Sequence, residues 1–343
     1  MKLHFHQMSG HAETETGASP WHAGELAMQT RAGVAQRLGE IGKRFVRAHL
    51  IDQHREFYPK LPFVALGSVD GNGDAWATLR AGQPGFLQTP DEYTLRLALA
   101  READDPADAG MNDGDAIGVV GVELSTRRRN RLNGTILRSS AASFDVSVEH
   151  SFGNCPKYIT LRHFEFSRDP GVQLSGAADQ SDRLDARAQR LIENADTLFV
   201  TSYVDREAGH RQIDVSHRGG KPGFVRVENG VLTIPDFVGN QFFNTLGNIL
   251  INPKAGMVFA NFATGDLLQM TGDGAILFNA DASAFKGAER LWQFTPRKVV
   301  YRKGAWPLRW TTAPDAASPH SLATGSWDEA EKSRADRVLM PAS

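Results

Sequence analysis

Two short stretches of this sequence hold residues able to grip an anion or a planar ring. The first is Asp214-Val215-Ser216-His217-Arg218-Gly219-Gly220, which offers a carboxylate, a hydroxyl, an imidazole and a guanidinium before two glycines. A loop of that make-up can cradle a phosphate with backbone N–H groups while Arg218 supplies charge. On spacing alone the plainer reading is the polar end of a hairpin. The second stretch, 235–248, contains Pro235, Asp236 and Phe237, then Asn240, Asn244 and Asn248 at helical spacing with Thr245 between them. In a helix the three amides would lie along one face. A helix starting near Gly239 would turn its positive end toward an anion, and Phe237, Phe242 and Phe243 could pack on a ring. The alternative is that the phenylalanines are core and the asparagines are caps.

Other reactive side chains read more plainly. Cys155 is the single cysteine, which excludes a disulfide within the chain and a cysteine-based zinc site. Lys157 could lower its thiol pKa, but no general base accompanies it, so lining a ligand site or packing is expected. The basic run Arg127-Arg128-Arg129-Asn130-Arg131 is expected at a solvated hairpin turn. His4, His6 and His11 fall in a polar leader and read as a mobile terminus.

The elements that would position these residues follow from periodicity. Leu26, Val34, Leu38, Ile41, Phe45 and Leu50 recur at helical spacing, giving one long helix or two short ones over 25–54. The period then shifts to a strand at 61–70, a turn at Gly71-Asn72-Gly73-Asp74, and a returning strand at 76–79. More strands are expected at 93–99, 117–124, 135–137, 144–148 and 158–166. After a helix at 184–193 with Asp182 as N-cap, strands resume at 197–203, 211–216, 223–227 and 231–234. A helix over 240–251 precedes strands at 256–262, 267–271 and 274–278. From 313 the chain is polar and aperiodic, so a loosely attached tail is expected.

The strand pattern repeats. Gly82-Gln83-Pro84-Gly85-Phe86 recurs as Gly220-Lys221-Pro222-Gly223-Phe224, an offset of 138 residues. The same offset carries Gly118 onto Gly256, Val120 onto Val258, Thr126 onto Thr264 and Gly134 onto Gly272. Upstream, Val69-Asp70 matches Val204-Asp205 at an offset of 135, which a three-residue insertion in the turn would explain. Proline followed by glycine suits a type II turn, and short strands joined by such turns suggest nearly closed barrels. The counterpart of 235–248 in the first half is acidic and reads as solvated, with Arg101-Glu102-Ala103-Asp104-Asp105-Pro106. The ligand is therefore expected mainly in the second half.

Composition narrows the class. The 343 residues are 41% hydrophobic and 23% charged, with a net charge of −2, so a general polyanion binder is not indicated. No apolar run is long enough to span a bilayer, and the first residues lack a signal-peptide core. The cytosol is the expected compartment.

The second half resembles the pyridoxamine 5′-phosphate oxidase-like, FMN-binding split-barrel family, nearest a two-unit branch whose members are sometimes fused to ferredoxin-reductase modules. The matching text runs from Asp214 through Val227, Ile234-Pro235-Asp236-Phe237, Gly239-Asn240 and Asn244-Thr245-Leu246-Gly247-Asn248-Ile249. Asn252-Pro253-Lys254-Ala255-Gly256 and 265–272 continue it, with Trp21-His22-x-Gly24-Glu25 and 151–159 in the first half. The resemblance implies a mainly β (α+β) protein of two tandem split-barrel units. These would be a degenerate unit at 21–180 and an FMN-binding unit at 181–312, between a leader at 1–20 and a tail at 313–343. It implies FMN at an interface, a homodimer, and an oxidoreductase acting on a small molecule with NADH or NADPH as donor. The strand 211–217, the segment 235–245 and Gln269 would face the flavin, with Cys155, Lys157 and Tyr158 beside it. Asn244-Thr245 replace the oxidase's basic pair, which leaves Ser216, His217, Arg218 or Lys157 for the phosphate. No iron–sulfur cysteine pattern is present. A non-catalytic flavin binder, or a haem-binding barrel with His163 or His217 as ligand, are the alternative classes.

Overall fold

The computed structural model describes residues 19–332 except 154, 173–177, 207–208 and 284. The histidines of the leader and the last eleven residues lie outside that range.

Three helices lead in: α1 (Ala23–Arg31), α2 (Ala35–Phe45) and α3 (Asp52–Arg55). Seven strands follow, β1 (Phe63–Val69), β2 (Ala75–Ala81), β3 (Leu87–Gln88), β4 (Thr94–Leu97), β5 (Ala116–Glu123), β6 (Arg128–Leu137) and β7 (Phe144–Gly153). Two short strands, β8 (His163–Phe166) and β9 (Asp179–Ser181), and helix α4 (Ala186–Glu193) lead to the second unit. There β10 (Thr197–Asp205), β11 (Arg211–Gly219), β12 (Arg226–Glu228) and β13 (Val231–Phe237) precede α5 (Asn244–Ile251). The chain continues through β14 (Lys254–Ala260), β15 (Leu267–Leu277), β16 (Ala288–Arg302), β17 (Leu308–Thr311) and α6 (Pro319–Leu322).

Every strand pairing is antiparallel, and the protein is two tandem split-barrel units. The first sheet runs β2-β1-β5-β6-β7-β4-β3, and the second repeats that connectivity as β11-β10-β14-β15-β16-β13-β12, with β9 added beside β16. The local chemistry repeats too. In both Gly-x-Pro-Gly-Phe elements the phenylalanine N–H reaches the carbonyl three residues back, Phe86 to Gln83 and Phe224 to Lys221, each at 2.9 Å. Gly85 and Gly223 hold φ of 99° and 86°, the left-handed position of a type II turn. Each sheet also has a bulge at the same place, between Asn133 and Gly134 and between Thr271 and Gly272. Side chains at those glycines would collide with the carbonyls of Ser147 and Thr295. Pro296 stands opposite Gly272 at the second bulge, a place where a strand tolerates a missing N–H.

The pairing register corrects one offset. Ala65 pairs with Val120 and Phe199 with Val258, so Ala65 and Phe199 are counterparts. Val69 therefore corresponds to Tyr203 rather than Val204, and the extra turn residues number one more than the sequence match suggested.

The units face each other about an approximate two-fold axis. Gly118 of β5 packs against the Ile213–Val215 backbone of β11, and its counterpart Gly256 of β14 packs against Ala75 and Trp76 of β2. The strands β8 and β17, which trail the two units, pair antiparallel with each other. A shared core of Phe63, Val120, Phe199, Val258, Trp306 and Trp310 fills the seam. Each fully buried large side chain there contributes about 1.5–3 kcal/mol. Burial on both faces explains why β1 and β10 read as continuous apolar runs rather than alternating ones.

Other expectations shift. The basic run is not a solvated turn, because Arg128 begins β6 and Arg131 is 4% exposed. Tyr158 takes a left-handed conformation and no strand forms before His163. The tail is attached as far as it is described: Ala316, Thr324 and Trp327 are buried, and the Trp327 N–H donates to the Gly223 carbonyl at 3.0 Å. The long strand β16 has no strong periodicity and was not expected.

Candidate functional site

Between the units lies a pocket of about 820 Å³ of empty space, its open mouth included. Strand β11 supplies Ser216, His217 and Arg218, the end of β13 supplies Pro235, Asp236 and Phe237, and the following loop supplies Asn240. The start of α5 supplies Asn244 and Thr245, and Lys157 and Tyr158 come from the segment after β7. The structure thus brings together eleven residues singled out in the sequence. The same wall contains two that sequence reasoning placed elsewhere, Arg129 and Arg131 of β6.

Several expected residues lie off the pocket, among them Phe242, whose ring packs against Trp21 and Phe152. Asp214 is buried on β11 and accepts hydrogen bonds from Asn133 Nδ2 at 2.9 Å and Asn248 Nδ2 at 3.0 Å. Gln269 belongs to the other side of the seam, donating to Asp105 Oδ1 at 2.8 Å and the Ala77 carbonyl at 3.0 Å. Cys155 is a half-buried free thiol and is not part of the wall. His163, weighed as an axial ligand, is exposed on β8.

The helix boundary also moves. Asn240 precedes α5 rather than sharing its face, and Phe243 takes the N-cap place in a left-handed conformation without a side-chain cap. Asn244 and Thr245, at the uncapped start of α5, line the pocket, where the helix dipole favours negative charge. Gln241, Phe243 and Tyr158 all hold φ near 60° and all line the pocket. Such conformations cost about 1–3 kcal/mol each and gather at ligand sites.

The electrostatics are those of an anion site. Arg131 donates to Asn244 Oδ1 at 2.9 Å and to Ser216 Oγ, which also takes the Thr245 hydroxyl proton at 2.8 Å. Its nearest carboxylate is Asp214, at 3.5 Å. Arg218 pairs with Asp236 at 2.6 Å, and Asp236 is shared with Arg290 at 2.5 Å. Arg129 has no carboxylate partner among the described residues, and its guanidinium donates to the His217 carbonyl at 3.2 Å and stands 3.3 Å from His217 Nδ1. Burial, then the neighbouring charges of Arg131 and Arg218, bring the Arg129 pKa down to about 10. Burial, then the guanidiniums of Arg129, Arg162 and Arg218, hold His217 neutral, well below its ordinary pKa, so its Nδ1 can accept. The Nε atoms of Arg129, Arg131 and Arg218 and Nε2 of His217 are buried without protein partners. Cations left this way favour an incoming anion.

One wall is aromatic. Tyr158 stacks on Phe237 with ring centroids 5.3 Å apart, and its hydroxyl donates to the Val238 carbonyl at 3.0 Å. Behind Asn244, Glu25 accepts from Asn244 Nδ2 and, at 3.0 Å, from the His22 N–H in the capping box that starts α1. Burial, then the Asp214 carboxylate, push Glu25 up to about 8. Helices α1 and α5 meet through Gly24 and Gly247, where any side chain would strike the opposite backbone. This accounts for the Trp21-His22-x-Gly24-Glu25 text.

Comparison with known proteins found no matching family model and no matching curated protein. Among solved structures, the chain is similar to a putative pyridoxamine 5′-phosphate oxidase from Lactobacillus delbrueckii, with 15% identity over 31% of this chain and 95% of that one, TM-score 0.25. It is similar to general stress protein 26 of Bacillus anthracis, with 13% identity over 36% of this chain and 95% of that one, TM-score 0.25. It is also similar to a Mycobacterium smegmatis protein described as FAD-binding, with 13% identity over 35% of this chain and 97% of that one, TM-score 0.24.

Proposed function

We propose that the seam pocket binds FMN and that the protein is a flavin-dependent oxidoreductase. The observation that carries this reading is the wall shared by both units, on which Arg129, Arg131 and Arg218 stand beside the Tyr158–Phe237 stack. A phosphate dianion needs charge-assisted donors, and the orphaned buried nitrogens of those arginines are such donors. Ser216 and the uncapped start of α5 add neutral ones. The aromatic wall suits an isoalloxazine ring, and a bacterial protein described as FAD-binding is among the similar structures.

When bound, the flavin would supply the electron transfer, with a reduced nicotinamide as donor. The chain's own residues orient and exclude. Asp236, fixed between Arg218 and Arg290, holds Arg218 in place at the pocket wall. Neutral His217 accepts from Arg129 and so aims that guanidinium. Both units contribute to the wall, so one chain completes the site. The homodimer expected from the resemblance would then be an addition to the site and not a condition of it. The cytosol is the compartment we propose, and among the described residues no helix is long and apolar enough to cross a membrane.

The test is a titration of the full chain with FMN and riboflavin, followed by flavin fluorescence, then anaerobic reduction of the complex by NADH and NADPH. Tighter binding of FMN and bleaching of the flavin absorbance are expected. Equal affinity for both ligands would overturn the phosphate assignment. A bound flavin that no nicotinamide reduces would favour a passive binder.

A further inference from the structure

We infer that the first unit holds a second anion site, built from the same positions and already occupied by the chain's own Asp105. One polypeptide therefore takes one external anion of the phosphate class instead of two.

Strand register gives the counterparts. Val120 pairs with Arg131 and Val258 with Gln269, so Gln269 is the counterpart of Arg131. Arg80 and Arg218 occupy the same place on β2 and β11, as do Thr78 and Ser216. Arg131 of the first unit lines the open pocket with Ser216 and Arg218 of the second. At the other site the equivalent three, Gln269, Thr78 and Arg80, converge on one carboxylate. Thr78 Oγ1 donates to Asp105 Oδ2 at 2.6 Å, Gln269 Nε2 donates to Asp105 Oδ1 at 2.8 Å, and Arg80 stands 3.8 Å from Asp105 Oδ2. Arg302, from the second unit, adds a guanidinium 3.4 Å from Asp105 Oδ2. The Asp105 side chain has no exposure.

The two sites thus exchange roles across the seam. The open site joins β11 of the second unit to β6 of the first, and the filled site joins β2 of the first unit to β15 and β16 of the second. Glu102 and Asp108 complete the neutralisation, at 3.0 and 3.4 Å from Arg80. Beside the filled site a groove remains, lined by Arg80, Phe86, Leu99 and Glu102. Phe86 and Leu99 correspond to Phe224 and Asp236 of the open pocket, so the approach persists where the anion cannot enter. Removing the Asp105 carboxylate leaves a buried hydroxyl, an amide and two guanidiniums around a space the size of that carboxylate. Such a set recruits an oxyanion.

The inference shares with the flavin reading only the premise that the open pocket takes an anion, and its test uses inorganic phosphate so that the two can fail separately. Full-length wild type, Asp105→Ala, Arg129→Ala and the double variant are titrated calorimetrically in chloride buffer. One phosphate per chain is expected for the wild type and two for Asp105→Ala. Arg129→Ala should weaken the wild-type site at least tenfold, and the double variant should keep the new site. A wild type without a site and an Asp105→Ala with one would uphold the inference and count against the flavin-phosphate reading. Folded Asp105→Ala protein with the wild-type stoichiometry would overturn it. Should that variant not fold, Asp105→Ser, which vacates most of the carboxylate's space and keeps a hydroxyl to cap the Ala107 N–H, is melted with and without phosphate. A phosphate-dependent rise in Tm larger than that of the wild type supports the inference, and an equal rise overturns it.

Discussion

The two faces of the seam start from one plan and end in opposite states. Around β11 the cations outnumber the carboxylates, and among the described residues the hydrogen-bond partners of Arg129 are an imidazole and a carbonyl. Around β2 the charges are matched, with Glu102, Asp105 and Asp108 gathered on Arg80, Arg101 and Arg302. The backbone at both places has the same strand order, the same bulge and the same turn. The difference therefore lies in a few side chains and in the connection after the fourth strand, which forms α5 in one unit and a short helical turn over Pro106–Gly110 in the other. An open pocket and a closed ion cluster can thus occupy equivalent places, and what separates them is whether the buried charges are already matched.

The sharpest way to break this comparison is to treat the two equivalent arginines alike. Arg80→Ala leaves buried carboxylates without their cation, and loss of one partner from a buried pair costs about 3–5 kcal/mol. Chemical denaturation should show that loss, with FMN affinity unchanged in the folded fraction. Arg218→Ala, and equally Arg129→Ala, should do the reverse. Each removes a charged donor, about 1.5–3 kcal/mol or roughly tenfold to a hundredfold in FMN affinity, with little change in riboflavin affinity by flavin fluorescence. If Arg80→Ala weakened FMN as much as Arg218→Ala, the contrast drawn between the faces would be lost.

A smaller effect sharpens the picture behind Asn244. Glu25 has a folded pKa of about 8 against an ordinary 4.5. Because the folded value is raised, its contribution to stability is fully present below about 4.5 and is lost as pH rises through about 8. Glu25→Gln should therefore flatten the fall in Tm over that window and melt above the wild type at its alkaline end. Thermal scans in parallel buffers check this, and identical slopes would show that Glu25 is ionised throughout.

Much of this was legible in the sequence. The Gly-x-Pro-Gly-Phe pair and the glycines at constant offset announced the repeated strand order, because turns and bulges admit few residues. The segment 235–248 and the strand ending at Arg218 were picked out through the family resemblance, because spacing alone read the strand as the polar end of a hairpin and the segment equally well as core and caps. Arg129 and Arg131 were misread as a turn, and Gln269 was expected at the flavin. Both errors have one cause. These residues sit on the strands that cross to the opposite unit, and nothing in local periodicity says which face of which unit a strand end will meet. The repeat held a usable signal, since its offset carries Arg131 onto Gln269. The acidic stretch around Asp105 was read as solvated, whereas burial against Arg80 and Arg302 makes it part of the interior. Charge density alone does not distinguish a wet loop from an internal counter-ion.

The approximate two-fold axis has a consequence for heredity. In a dimer of identical chains every codon is expressed twice, so a change that improves one copy of a site is imposed on the other. Here the two copies are written separately. Arg131 and Gln269, or Ser216 and Thr78, can be altered one at a time, and a lineage can keep one face for chemistry while releasing the other to become scaffolding.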